Sequence, residues 1–399
     1  MKKRIWIINE YAGSPYHGIE YRSYYLSKEL IKLNYEVVIV SSNYSHLFKK
    51  TSKAGFENID GIKYYWINTI NYKDSKSFLR ILKWFIFTFK LFFVLAKLEK
   101  PDYIIVSPMQ TMPVIPALLY SKLRKAKLIF EVKDIWPKSI IDLGGLSPTN
   151  PFIKILHFCE KLAIKKSDAV VSSLQNYDEH IKELGIDKDF NWICNGFDED
   201  ILNHIEPLAN EITNKISKDS FIVGYTGTVG IANALDYFLE SMTYLKDIDV
   251  KLIIVGDGKE KESLMTRFSN NKNIVFVGRI NKNQVLSAIN LFDVCFIGWH
   301  DKSLYDYGIS PNKIFDYMVS EKPILHSYSG KADIVQLANC GITVKAEKPK
   351  EIARGIRELY EMNELDREVY GKNAKSFLLE NFTYKKLAEK YNKILINQV

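Results

Sequence analysis

The sequence predicts an α/β fold of two doubly wound domains, each a parallel sheet covered by helices on both faces. Three observations lead there. Short apolar runs alternate with longer helical patterns along most of the chain. The runs are continuously apolar, as in strands buried on both faces, not alternating as in a half-exposed sheet. The series breaks once, at a polar stretch over 210–220, and then begins again. At 399 residues the chain also exceeds what one hydrophobic core usually serves.

Taken in order, the first series of strands is expected at 5–9, 36–41, 64–67, 103–107, 127–131, 169–172 and 192–194. The second is expected at 221–226, 251–256, 274–277, 294–297, 323–326 and 341–344. Ligands of such sheets bind at the carboxyl ends of the strands, and a cleft between two such domains is the natural site. The opening Met1-Lys2-Lys3-Arg4 runs directly into Ile5-Trp6-Ile7-Ile8, too short for a signal-peptide core, and reads as a first buried strand. Cys159, Cys194, Cys295 and Cys340 lack metal-ligand or framework spacing, which points to a reduced, cytosolic setting.

The net charge of +8 favours anionic partners. Its lysines are spread along the chain with no Arg-rich arm and no nucleic-acid module, so an acidic membrane surface fits better than nucleic acid.

The loop after the first strand, Asn9 to Gly18, has no Gly-x-Gly-x-x-Gly, and no Gly-x4-Gly-Lys-Ser/Thr occurs. Dinucleotide and Walker-type phosphate chemistry are thereby excluded. Gly18 stands where this loop gives way to a helix, so a substrate phosphate can rest against its backbone; a plain turn is the other reading. Arg22, on that helix, is either an acceptor-side group or a solvated residue.

Glu131-Val132-Lys133-Asp134-Ile135-Trp136-Pro137 closes another strand with an acid, a base and an aromatic. Asp134 lies just past the carboxyl end, where a reacting group would be held. Trp136 offers a flat face for a sugar ring, or is a core residue before a helix-initiating proline. In the second series, Gly224-Tyr225-Thr226-Gly227-Thr228-Val229-Gly230 fits a phosphate or sugar cradle through Gly227 and Thr228, or a strand-to-helix turn with an Asn cap. Asp257-Gly258 reads as a structural turn. The most informative stretch is 309–318, where Ser310-Pro311 leads into a helix carrying Asn312, Lys313 and, one turn on, Asp316. A cation at a helix N-terminus suits a phosphate, and a carboxylate on the same face suits ribose hydroxyls; an i,i+3 ion pair is the alternative.

Residues 78–98 form an aromatic run in which Lys83, Lys90 and Lys97 recur every seventh position. The interior lysines argue against a spanning helix. A basic stripe beside a wide aromatic face that includes Trp84 suits a helix lying in the headgroup region, with a core helix packed on the first sheet as the alternative.

Together these elements resemble the GT-B retaining glycosyltransferases of the large sucrose-synthase-like family 4, which includes many lipopolysaccharide and capsule enzymes. The resemblance rests on His17-Gly18, 131–137, Asn195-Gly196-Phe197-Asp198, 224–236, 254–258 and 310–323. The Asp-x-Trp-Pro and Ser-Pro-Asn-Lys-x-x-Asp-Tyr-Met elements are similar to the branch that transfers N-acetyl-fucosamine in O-antigen and capsule synthesis.

That resemblance implies two Rossmann-like domains, 1–198 binding the acceptor and 199–375 binding the nucleotide sugar, with 376–399 a helix returning to the first. It implies transfer, with retention, of a sugar (an N-acetylated amino sugar such as L-FucNAc, UDP-linked) to a lipid-linked saccharide at the inner face of the membrane. Asp316 matches the second acid of the family's Glu-x7-Glu pattern and would hold the ribose; the first acid falls on Gly308. The family's Arg and Lys after the first strand of the second domain are absent from 226–232, and Lys313 and Arg279 are the replacements expected to balance the diphosphate. Asp134 matches a catalytic-site position near the acceptor. No metal or other cofactor is implied, and Asp247-Ile248-Asp249, an Asp-x-Asp before a strand, reads as a cap or turn. A non-hydrolysing nucleotide-sugar 2-epimerase shares the two-domain architecture and is the rival enzyme; a membrane scaffold with vestigial nucleotide domains is the rival without activity.

Overall fold

The computed structural model describes residues 2–18, 20–74, 77–142, 144–216 and 220–397. The chain divides into two compact units, residues 1–195 with 384–399, and residues 196–383.

The strands of the first unit are β1 (Arg4–Ile8), β2 (Glu36–Ser42), β3 (Gly55–Ile59), β4 (Ile62–Ile67), β5 (Tyr103–Val106), β6 (Lys127–Val132), β7 (Ala169–Ser172) and β8 (Asn191–Trp192). They form one sheet in the order β3-β4-β2-β1-β5-β6-β7-β8. Its helices are α1 (Arg22–Lys32), α2 (Phe78–Lys97), α3 (Val114–Arg124), α4 (Lys138–Asp142), α5 (Pro151–Lys166) and α6 (Tyr177–Glu183). Strand order reverses between β1 and β5, so the loop after β1 opens at the switch point where such sheets bind ligands. The crossovers that carry α2, α3 and α5 all run toward β8, and right-handed connection puts these helices on one face.

One strand departs from expectation. β3 pairs antiparallel with β4, Ile59 facing Ile62. The hairpin was written in Asp60-Gly61, whose φ values of 50° and 83° suit a tight primed turn; the polar alternation of 55–59 hid it.

The second unit has β9 (Phe221–Thr226), β10 (Val250–Val255), β11 (Ile274–Gly278), β12 (Val294–Gly298), β13 (Ile324–Ser327) and β14 (Gly341–Val344). All are parallel, in the order β11-β10-β9-β12-β13-β14. Its helices are α7 (Asn210–Lys215), α8 (Leu235–Glu240), α9 (Lys261–Arg267), α10 (Val285–Asn290), α11 (Asn312–Val319), α12 (Ile334–Leu337), α13 (Pro349–Glu361) and α14 (Glu364–Asn381). Here the order reverses between β9 and β12. In the core Phe238 stacks on Phe296 at 3.9 Å, and Phe292 fills the space a Cβ on Gly224 would need.

The final helix, α15 (Tyr384–Asn397), belongs to the first unit. It packs on α1 through Tyr384, stacked on Tyr25 at 5.0 Å, while Asn392 accepts from Tyr35. The return starts later than 376. Residues 376–383 stay with the second unit because Phe382 packs on Phe315 and accepts the Phe197 amide at 2.8 Å. That same bond draws 196–198 into the second unit.

Candidate functional site

In the second unit, two loops meet at the carboxyl ends of β9 and β10. Gly256, at φ 150°, lies so close to the β9 loop that a Cβ there would stand 1.8 Å from the Gly227 carbonyl oxygen. Gly227 in turn donates to Val255 O at 2.9 Å, and Val229 to Asp257 O at 2.9 Å. Glycine is dictated here by contact. Asp257-Gly258 thus serves the packing of the turns, with the Val229 carbonyl 2.1 Å from where a Gly258 Cβ would be.

α11 delivers Lys313 to this junction. The helix is latched by Tyr317, whose hydroxyl accepts from the Thr226 amide at 2.9 Å. The Lys313 ammonium donates to Tyr225 Oη and to Asn233 Oδ1, both at 2.6 Å, and lies 4.2 Å from the centre of the Tyr225 ring. Burial raises the Tyr225 phenol's pKa, so it stays protonated and passes its hydrogen to Thr228 O at 2.7 Å. Asn233 closes the ring by donating to the same carbonyl. All of Lys313's bonding partners are neutral, and burial lowers its pKa to about 7. A cation drawn off water and held beside a glycine turn without a carboxylate is a site prepared for an anion.

Asp316, one turn on, is paired elsewhere. Its carboxylate takes the Lys282 ammonium at 2.8 and 3.0 Å. Lys282 opens a short 3-10 turn whose capping box, Asn281 with Gln284, sets its direction. The alternative reading, an i,i+3 pair of Lys313 with Asp316, is therefore not what forms. Arg279 is exposed after β11, and the cation that pairs with α11 is Lys282. The signal was in the sequence, since Asn281-x-x-Gln284 is a helix start and aims the residue it encloses. Asn312 is exposed at the first position of α11, and Thr228 is exposed on the turn. Gly308, at the place of the missing first acid, has φ 107°, a backbone setting that L side chains strain to adopt.

In the first unit the charges are buried and matched. Arg22 is 5 % exposed and pairs with Glu131 at 2.9 Å. It also donates to the carbonyls of Ile193, at 2.9 Å, and Cys194. Ser107 and Tyr391 both donate to the Glu131 carboxylate. Burial works to raise that carboxyl's pKa, but Arg22 prevails and holds it at about 2. Arg22 is thus an internal strut tying α1 to β6 and the 193–194 segment, neither an acceptor-side group nor solvated.

Trp136 is likewise internal. It is 8 % exposed and meets Trp84 edge-on at 5.4 Å, so no sugar can stack on it. Its indole N–H instead donates to Asp134 at 3.2 Å, and Ser139 donates to the other carboxylate oxygen. Asp134 itself is exposed, oriented by these two donors. Gly18, at φ 98°, closes a turn onto Ser14 O at 2.9 Å and lies against the backbone of Leu47 and Lys49.

Lys83 does not reach a membrane. It is fully buried and pairs with Glu10, at the carboxyl end of β1, at 3.0 Å. Trp84 is buried too, donating to Tyr11 Oη at 2.8 Å. A seven-residue spacing drifts about 20° per repeat on an α-helix. The lysine stripe sits at the edge of the buried face, so the drift takes Lys83 inside and leaves Lys90 and Lys97 exposed. Among the described residues no helix is long and apolar enough to cross a membrane. Asp247 is held by Arg357 at 2.7 and 2.8 Å, as a surface ion pair.

Comparison with known proteins identifies the architecture. Residues 16–201 match the model described as Glycosyltransferase Family 4, and residues 220–362 the one described as Glycosyl transferases group 1. The chain has the GT-B fold, and glycosyltransferase models match a segment of each of its two units. An uncharacterized glycosyltransferase of Methanocaldococcus jannaschii is 31% identical over 241 residues, a match spanning 59% of each chain. The sucrose-phosphate synthase of Thermosynechococcus elongatus has the same fold, with a TM-score of 0.74 at 14% identity over 99% of both chains. So does Anabaena HepE, solved with UDP-glucose, at a TM-score of 0.66 and 12% identity over 99% of both. The N-acetyl-fucosamine branch is not among these findings. The family 4 segment contains the Arg22–Glu131 pair, and the group 1 segment contains the Lys313 junction.

Proposed function

We infer that the chain transfers a sugar from a nucleotide-sugar donor, UDP-linked, to a lipid-linked saccharide during surface-polysaccharide synthesis, with retention at the anomeric carbon. The observation that carries the reading is Lys313, a cation with neutral partners lying against the Gly227 turn. A leaving diphosphate develops negative charge, and a preorganised ammonium in a site shielded from water stabilises it far more than one in bulk solvent. The ribose falls to Asp316, with Lys282 as the companion that orients its carboxylate and adds charge near the diphosphate. Asn312, Thr228 and the backbone at Gly227 supply further polar contact. The bound UDP-glucose of HepE supports the choice of nucleotide. The Asp-x-Trp-Pro and Ser-Pro-Asn-Lys elements support an N-acetylated amino sugar such as L-FucNAc.

Asp134 is the acceptor-side group. Trp136 and Ser139 orient its carboxylate without neutralising it, which suits an acceptor hydroxyl losing its proton. With Lys313 and Lys282 balancing the diphosphate, the reaction uses no divalent metal, and the enzyme works from the cytoplasm at the inner face of the membrane.

The test is a panel of nucleotide sugars incubated with purified protein, with and without EDTA, while free nucleotide is followed. Slow release from one UDP-sugar, undiminished by EDTA, is the expected result. Conversion of the donor to its 2-epimer would replace this reading with epimerase activity. Loss in EDTA restored by Mn²⁺ or Mg²⁺ would overturn the assignment of the neutralising groups.

A further inference from the structure

Three neighbouring helices of the first unit turn an unusual surface outward. α2, α3 and α5 lie side by side on one face of the sheet. Tyr120 of α3 donates to Phe92 O of α2 at 2.8 Å, and Phe152 of α5 stacks on Trp84 of α2 at 5.9 Å. Their outer sides carry large apolar residues that nothing covers: Phe89 is 65% exposed, Phe93 57%, Leu123 65% and Phe158 63%. Leu119 and Ile155 lie among them, also exposed. Contiguous apolar surface of this kind marks an interaction site, whereas scattered single residues do not.

Charge says which partner. The three helices hold one carboxylate between them, Glu160, and it is buried against His180 at 2.8 Å. Every exposed charge on them is positive, including Lys90, Lys97, Lys122 and Lys154. The acids begin again on the next helix, with Asp178, Glu179 and Glu183 of α6. A second copy docking through this face would set lysine against lysine. An anionic bilayer offers the opposite: phosphates for the ammonium groups and an acyl boundary for the phenyl and leucyl side chains.

We propose that the outer face of α2, α3 and α5 is a bilayer-docking platform that lies in the headgroup layer of an anionic membrane. It rests on the lipid-linked acceptor named above, whose headgroup it brings to the enzyme. The platform does not depend on Lys83, which faces inward to Glu10. Docking is shared over three helices, so no single amphipathic helix accounts for it.

The test is flotation of the whole chain with phosphatidylglycerol/phosphatidylethanolamine vesicles and with phosphatidylcholine vesicles, at low and high salt. The wild type should float with the anionic vesicles and keep a salt-resistant fraction. The variant K90E/K97E/K122E/K154E should bind at least about a hundred-fold more weakly at low salt, given roughly fivefold per lysine. The variant F89S/L123S/F158S should lose the salt-resistant fraction. All seven side chains are exposed, so circular dichroism and the melting temperature should match the wild type. Donor hydrolysis should persist in both variants. If the wild type stays off the vesicles, or either variant floats as it does, the proposal fails. It also fails if the wild type is a dimer that the apolar variant converts to monomer, since a second copy then occupies the face. Flotation without transfer to any lipid-linked acceptor would sink the functional reading and leave the platform standing.

Discussion

The two units treat charge at their strand ends in opposite ways. In the first, Arg22 meets Glu131 and Lys83 meets Glu10, all four residues at most 5 % exposed. In the second, Lys313 has only a phenol and an amide. A matched buried pair holds elements together, and removing one member leaves an uncompensated charge. An unmatched cation keeps neutral hydrogen-bond partners but no counter-charge, which leaves it open to an anion. Buried charges therefore divide into those that report on stability and those that report on binding, and the presence or absence of a carboxylate partner sorts them.

The sharpest way to break this distinction is Arg22→Met. It strands Glu131 and should destabilise the protein by about 3–5 kcal/mol in denaturant unfolding. A loss below 1 kcal/mol would mean the pair is not structural. Lys313→Met comes next and should do the reverse. It should reduce donor turnover by about 2–4 kcal/mol, tens- to several-hundred-fold, while the melting temperature holds or rises. The sign follows from the lowered pKa. Between about 7 and the usual 10.5 the unfolded chain keeps a proton that the folded chain has given up, so stability rises with pH across that window. Below it the folded state carries the full penalty of a desolvated ammonium, which methionine lacks. A variant that unfolds more easily at pH 6.5 would undo the assignment.

Smaller effects sharpen the comparison. Asp316→Ala should raise the donor KM more than it lowers kcat. Lys282→Ala should raise KM only a few-fold, because that lysine is mostly exposed and such pairs contribute about 1 kcal/mol or less. Equal effects from the two would place the ribose elsewhere. The pH dependence of donor affinity is read by titration calorimetry. Affinity should weaken above pH 7, by at most about tenfold per unit, as the free enzyme's ammonium is lost. A flat profile from pH 6 to 9 would show that Lys313 does not face the diphosphate.

Much of this was legible in the sequence. Continuous apolar strands gave away both parallel sheets, because burial on two faces leaves no room for polar alternation. The 309–318 stretch disclosed Lys313 because a proline-led helix start with a cation is local. What stayed hidden was partnership. Arg22 and Glu131 are 109 positions apart, and no periodicity announces that they meet. Lys282 and Asp316 are separated by 34. Lys83 misled because a heptad stripe resembles a helix face only over short runs. Trp136 suits a core or a platform by sequence alone, and only the neighbouring Trp84 decides between them.

The return of α15 has a consequence for how the molecule is made. Tyr391 reaches the Glu131 carboxylate, and α15 covers α1, yet these residues leave the ribosome only after all of 196–383. At usual elongation rates that is a delay of roughly 10 to 40 s. The second unit is continuous in sequence and can close as it emerges. The first must wait with one side of α1 uncovered and Glu131 short of a partner. A nascent chain halted before Tyr384 would expose apolar surface that the finished protein never shows, and chaperones would meet this unit first.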